Sequence, residues 1–243
     1  MFSTAVDAFD RCEAETTKNG PSAGVIQQNA AICIIFSVNF LENAINSVID
    51  SLIYSLGDLH PDGQNFYEKI HSALGGSSVD KMPLIEKYNL LCTCLGFEVP
   101  DRGSKITQDI ASLVNLRNIL IHPRPVGFDL RNGKSTRLKS TKKVLQDLRS
   151  KYSLSGNELN DHTWINIALN KEGAEWAIHA AIEYWNYIIS RILNESSKFE
   201  DRRRFHFPNF DTVNFEKARN GMLNIIMTVN ISAHENTLRI SVE

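Results

Sequence analysis

The strongest constraint on the fold is a long apolar segment, residues 30–56, whose hydrophobic side chains recur at helical spacing. The pattern predicts one helix over residues 27–56, ended by Gly57. Five polar residues interrupt the segment, and a membrane span tolerates such groups poorly: Asn39, Glu42, Asn43, Asn46 and Asp50. The N-terminus carries acidic residues rather than a basic region followed by an apolar run. We therefore expect a soluble, cytoplasmic protein without a membrane anchor.

The remaining patterns predict an all-α fold. Further helices are expected over residues 65–74, 83–95, 106–121, 140–151 and 171–193, and glycine or proline residues follow several of them. Residues 1–24 end in the turn-forming sequence Asn19-Gly20-Pro21 and are interpreted as an N-terminal extension. Residues 25–195 form the helical domain. Residues 196–243 form a C-terminal appendage, predicted to be a small β-hairpin because residues 224–230 and 237–242 are rich in β-branched side chains.

Two opposite charges occupy apolar stripes on two predicted helices. At about 100° per residue, Arg117 falls in the middle of a stripe that contains Ile110, Leu113 and Leu120. Glu42 falls in the middle of a stripe on the first long helix, identified by Ala31, Ile35, Val38, Ile45, Ile49, Ile53 and Leu56. An ion on a face that must be buried needs a partner. We expect a Glu42–Arg117 ion pair, to which Asn46 adds a hydrogen bond. A purely architectural pair, or a stripe that opens onto water, explains the same spacing.

Asn118 and His122 are four residues apart and therefore share one helix face, which Arg117 is long enough to reach. Pro123 ends the helix directly after His122. An imidazole at a helix end can point into a groove and act as a general acid near neutral pH. A lone histidine is usually a structural residue, but arginine, asparagine and histidine at this spacing favour a chemical role.

The sequence Arg117-Asn118-Ile119-Leu120-Ile121-His122 resembles the signature of the HEPN family, which is an arginine, four to six residues and a histidine. The surrounding order of helices is similar over about residues 25–195, with Glu42 on the long first helix and Glu86-Lys87-Tyr88 at the start of a middle helix. The resemblance implies an antiparallel helical bundle, and a homodimer in which two motifs face one cleft.

The resemblance also implies an activity, because many family members are metal-independent endoribonucleases. His122 would assist attack of the RNA 2′-hydroxyl on the adjacent phosphate, and Arg117 would stabilise charge on the phosphate oxygens. Asn118 would orient either group, and Glu42 would fix Arg117. Such enzymes include toxins and defence proteins of bacteria, so a cognate antitoxin or regulator is an expected partner. The alternative is a non-catalytic HEPN module that binds a protein or a nucleotide.

A basic stretch follows the motif. Residues 124–151 contain nine basic residues against two acidic ones, while the whole chain has a formal charge of −2. We interpret this stretch as an RNA-binding loop next to the motif, with the candidates Arg124, Arg131, Lys134, Arg137, Lys139, Lys142 and Lys143. A solvated surface loop is the alternative. A second basic run with aromatic residues, residues 202–207, suits either base stacking or packing of the tail.

The sequence contains no pattern typical of a metal or cofactor site. The four cysteines form no CxxC pair, and no histidine lies at zinc spacing from two of them. A glycine-rich phosphate loop, a GxSxG elbow and an HExxH motif are also absent from the sequence. We expect buried free thiols, no metal and no cofactor.

Overall fold

The computed structural model describes residues 2–57, 79–122 and 168–196, the single positions 68, 70 and 72, and four short strands. The described part of the chain contains five α-helices: α1 (Phe2–Thr16), α2 (Ala23–Gly57), α3 (Leu84–Leu95), α4 (Lys105–Ile121) and α5 (Lys171–Ser196). A short 3₁₀ helix, Val79–Lys81, precedes α3. The helical body therefore has the all-α character that the sequence predicts.

The helix ends follow local sequence signals. Gly96 ends α3 in the left-handed conformation with φ of 73°, where a side chain would be strained. Asn170 caps α5, because its Oδ1 accepts a hydrogen bond of 2.8 Å from the Gly173 N–H. The predicted bounds of α2, α3, α4 and α5 are confirmed to within four residues at each end. Of the predicted helix over 65–74, positions 68, 70 and 72 are helical, and the predicted helix over 140–151 lies outside the described residues.

Two antiparallel strand pairs are present. Strand β1 (Gly127–Asp129) pairs with β2 (Lys134–Thr136), with Phe128 opposite Ser135. This hairpin lies within a segment that the sequence pattern had indicated as a loop. Strand β3 (Thr228–Ile231) pairs with β4 (Leu238–Ser241); β4 lies inside its predicted segment, and β3 extends one residue past its own.

The described helices belong to two compact units. Unit 1 is drawn from Met1–Asn39 and Lys105–Ala181, and unit 2 from Phe40–Ser104 and Ile182–Glu243. Both α2 and α5 contribute to each unit, because the division falls within these two helices.

The core of unit 1 includes α1, although the sequence pattern predicted an extension over these residues. Its apolar side chains are buried, together with residues of three other helices: Phe2, Val6, Phe9, Cys12, Ile34, Val38, Ile110, Leu113, Leu116 and Ile178. An ion pair of 2.8 Å joins Glu13 of α1 to Lys171 of α5. The Cys33 thiol of α2 donates to the Ala174 carbonyl of α5 at 3.3 Å. Thus α1 is an integral helix of this unit.

The core of unit 2 is rich in aromatic rings. Phe40 meets Trp185 edge to face with ring centroids 6.0 Å apart, and Tyr88 meets Tyr184 in the same way at 5.7 Å. The fully buried side chains around them come from α2, α3 and α5: Leu41, Ile45, Ile49, Leu84, Leu91 and Ile188. These contacts join the second half of α2, α3 and the second half of α5.

The segment Ala23–Asp50 of α2 has a mean hydropathy of 1.6 and is long enough to cross a membrane, judged by length and composition. In this fold, 56% of its most apolar window is buried against the protein itself. Apolar composition of this kind is also typical of the core helix of a soluble protein.

Candidate functional site

The α4 helix places one cation on its core-facing side. Ile110, Leu113 and Leu116 are fully buried. Arg117 lies one turn after Leu113 and two turns after Ile110, so its side chain leaves the helix on the same side. Its Nε atom is buried, while the residue as a whole is half-buried. The Arg117 side chain therefore begins on the core-facing side of α4, and its Nε is covered by the protein.

The other two residues of the motif are accessible. Asn118 and His122 are both exposed, and they lie on one face of α4 because they are four residues apart. The His122 N–H donates to the Asn118 carbonyl at 2.9 Å, so the helical hydrogen bonding continues up to His122. The imidazole is thus carried by the last hydrogen-bonded position of α4, where the helix ends.

The two ends of α4 differ in charge. At its start, Lys105 pairs with Asp109 at 3.0 Å, and the Asp109 side chain is only 6% exposed. The last turn, residues 118–121, contains no acidic residue. An anion at Asn118 and His122 would therefore meet no carboxylate from the last turn of α4.

Glu42 occupies a different position on α2 from the one predicted. The buried face of this helix includes Val38, Ile45 and Ile49 of the predicted stripe, but its centre passes through Ile34, Leu41 and Ala44 and is rotated by roughly 80° from the centre of that stripe. Glu42 is half-buried at the edge of that face. Since α2 is apolar around most of its circumference, the spacing alone does not identify the buried side. Glu42 belongs to unit 2 and Arg117 to unit 1, so the expected ion pair remains a prediction.

Asn46 has a partner that the sequence pattern did not predict. Its Oδ1 accepts a hydrogen bond of 2.8 Å from the Lys87 Nζ. An amide oxygen can accept two hydrogen bonds, so the bond from Lys87 leaves the expected bond from Arg117 a prediction. Lys87 lies between Leu84 and Leu91 on the buried side of α3 and is only 2% exposed. The sequence does contain a signal for the burial of Lys87. A lysine on an apolar helical stripe is as unusual as Arg117 on the apolar stripe of α4.

The basic candidates lie mostly outside the described residues: Arg124, Arg131, Arg137, Lys139, Lys142 and Lys143. Lys134 is the first residue of β2. Residues 202–207 also lie outside the described part. All four cysteines are free and buried, as the sequence predicted.

The comparisons with known proteins give no relative: no family model, no curated protein and no solved structure matches this chain.

Proposed function

We propose that this chain is a metal-independent endoribonuclease of the HEPN type, whose reaction uses Arg117, Asn118 and His122. One observation carries the proposal: the Nε of Arg117 is buried on the core side of α4, while Asn118 and His122 are exposed at the same helix end. A half-buried guanidinium whose Nε is covered by the protein has little freedom to move and suits a fixed phosphate-binding group. An exposed imidazole beside it suits proton transfer.

The proposed reaction is an attack of the RNA 2′-hydroxyl oxygen on the adjacent phosphorus. The bond from phosphorus to the 5′-oxygen breaks, which leaves a 2′,3′-cyclic phosphate and a 5′-hydroxyl end. His122 removes the proton of the 2′-hydroxyl or supplies the proton to the 5′-oxygen. Arg117 donates hydrogen bonds to the phosphate oxygens as negative charge builds on them. Asn118 orients the imidazole or the phosphate through its amide group.

One histidine cannot supply both proton transfers in the same instant, so we propose a homodimer in which two copies of the motif face one RNA strand. The basic residues after His122 would bind the RNA backbone beside that cleft. In this proposal the protein acts in the cytoplasm as a toxin or defence component, and a cognate antitoxin or regulator restrains it.

The test is cleavage of a defined RNA in the presence of EDTA. We expect 2′,3′-cyclic phosphate and 5′-hydroxyl ends from the wild type. Arg117→Ala and His122→Ala should each lower the rate by about 10²-fold or more. Asn115→Ala is the matched control, because Asn115 is an exposed asparagine on the same helix, three residues before Asn118. Asn118→Ala should slow cleavage and Asn115→Ala should not. Equal cleavage by wild type and His122→Ala would reject the proposal.

The second candidate is a non-catalytic module that binds a protein or a nucleotide. Ile121, inside the motif, has 40% of its surface accessible and is the apolar position at which contact with a partner can be tested. A folded protein that leaves RNA intact but loses oligomerisation on Ile121→Asp would support this function. Cleavage by the wild type that persists in Ile121→Asp would favour the nuclease instead.

A further inference from the structure

One cation and two tyrosine hydroxyl groups form a cluster within unit 2, between α3 and the second half of α5. The Arg191 Nη1 donates to the Tyr187 hydroxyl oxygen at 2.8 Å, and the guanidinium carbon lies 5.5 Å from the centre of the Tyr187 ring. The Tyr187 ring meets the Tyr88 ring of α3 edge to face, with centroids 6.2 Å apart. Arg191 and Tyr187 are half-buried, so this part of the cluster reaches the protein surface.

The donors of this cluster outnumber the acceptors that the described residues offer. Arg191 uses one of its five N–H groups on Tyr187, and within the described part of the chain no carboxylate pairs with it. The Tyr187 oxygen is the acceptor in that bond, so its own proton is left to donate. The Tyr88 hydroxyl is buried and has no hydrogen-bond partner among the described residues. Buried donors of native proteins are normally satisfied, so the cluster needs an acceptor with several oxygen atoms.

The Tyr88 hydroxyl is a donor at neutral pH and interacts with the charge of Arg191. Burial is the largest cause that raises the pKa of Tyr88, so the proton stays on the oxygen. The positive charge of Arg191 acts on this pKa in the opposite direction, so the guanidinium and the hydroxyl are close enough to interact. The neighbouring Cys92 thiol is only a weak acceptor and does not replace an oxygen atom.

We propose that Arg191, Tyr187 and Tyr88 form a binding site for a phosphate group. The guanidinium supplies the positive charge and N–H groups in a fixed fork that matches phosphate oxygens. The two hydroxyl groups supply donors for the remaining oxygens. A carboxylate has two oxygens in one plane and satisfies fewer of these donors, which favours a tetrahedral anion. The site shares no residue with the motif on α4, so it does not depend on the proposed nuclease activity.

Calorimetric titration of the full chain with inorganic phosphate tests the site, at an ionic strength kept constant with chloride. Arg191→Gln should weaken binding by about 10-fold or more, and Tyr187→Phe, which keeps the ring, by about 5-fold. Arg102→Gln is the matched control and should bind as the wild type does, because Arg102 is an exposed arginine of unit 2. Equal binding by the wild type and Arg191→Gln would overturn the proposal, as would a wild type that binds no phosphate at millimolar concentrations.

The acidic residue nearest to Arg191 in the sequence provides a further check. Glu195 follows it by four positions on α5, which is the spacing of neighbours on a helix. Glu195→Gln should tighten phosphate binding or leave it unchanged, because it removes a negative charge that competes with the anion. Weaker binding by this variant would contradict an anion at Arg191.

Tyr88→Phe separates a binding role from a structural one. In phosphate-free buffer this variant should keep or raise the melting temperature, because it removes a buried group that lacks an acceptor. It should also lose most of the rise in melting temperature that phosphate gives the wild type. A lower melting temperature in phosphate-free buffer, or a full rise with phosphate, would overturn the role assigned to Tyr88.

Two larger ligands identify the source of the phosphate group. Adenosine 5′-monophosphate represents a small phosphorylated molecule, and a 2′-O-methyl RNA oligonucleotide represents the RNA backbone without a 2′-hydroxyl that can attack. Tighter binding of the oligonucleotide, with a smaller salt dependence in Arg191→Gln, would assign the site to RNA. Tighter binding of the mononucleotide would assign it to a small molecule. Arg191→Gln that binds both ligands as the wild type does would reject the site.

Discussion

The Lys171 Nζ lies 2.8 Å from the Glu13 Oε1, and this ion pair joins the first residue of α5 to the last turn of α1. The hydrogen bond to Glu13 is the largest cause that raises the pKa of Lys171. Both side chains remain about 30% exposed, so water screens much of the attraction. The pair therefore orients two helix ends more than it stabilises the unit.

The pH dependence of stability follows from the sign of this shift. A raised pKa means that the folded chain binds the Lys171 proton more tightly, so the stabilisation is full below the ordinary pKa of lysine and is lost as pH rises through the raised value. We expect Glu13→Gln to lower the free energy of unfolding by less than about 1 kcal/mol at pH 7, with the difference shrinking above about pH 10.4. Urea unfolding at both pH values measures it. Asp7→Asn, an exposed change on the same helix, is the control. A difference that grows at alkaline pH would contradict the assignment.

The burial of Phe9 makes α1 part of the core of unit 1. Phe9 is 2% exposed, so Phe9→Ala should destabilise the protein by about 3–5 kcal/mol through lost burial and the cavity left behind. Arg11→Ala, two residues away and exposed, should change stability by less than about 0.5 kcal/mol. Chemical denaturation of both variants gives the comparison. A similar, small effect of the two changes would mean that α1 is a dispensable extension, as the sequence suggested.

Gly173 and Gly24 lie near the starts of α5 and α2 and should respond oppositely to alanine. A Cβ on Gly173 would stand 2.3 Å from the backbone oxygen of Ala168, which cannot move without shifting the chain. A Cβ on Gly24 would meet nothing within 4 Å. We expect Gly173→Ala to destabilise by about 1–3 kcal/mol and Gly24→Ala to be neutral or stabilising by up to about 1 kcal/mol. Thermal melts of the two variants are the measurement, and a stabilised Gly173→Ala would contradict the close approach of Gly173 to the Ala168 carbonyl.

The buried thiols should be unreactive in the folded protein. Burial is the largest cause that raises the pKa of the Cys33 thiol, and it also raises the pKa values of Cys12 and Cys92. Since the thiolate is the nucleophile, iodoacetamide at pH 8 should modify none of the four cysteines of the native protein quickly, and all of them in urea. Mass spectrometry counts the adducts. Fast modification of native Cys33 would contradict its burial between α2 and α5.

The local signals in the sequence determined where most described helices begin and end, and which faces of α4 carry which groups. Gly96 acts through its own backbone conformation and Asn170 through a hydrogen bond to a near neighbour, so their effect can be predicted without the fold. The α4 helix has a clear apolar side, so helical spacing by itself directed Arg117 towards the core and Asn118 with His122 to another face.

The tertiary structure decided which surfaces are covered and by what. Only packing shows that α1 is a core helix, because its apolar stripe is short and its partners are distant in sequence. Only packing shows which side of α2 is buried, since almost every side of that helix is apolar enough. Only packing shows that Asn46 accepts a hydrogen bond from Lys87, because the two residues are 41 positions apart in the sequence. Burial and charge pairing depend on which distant segments meet, and a helical period fixes directions around one axis but not the neighbour that lies in each direction.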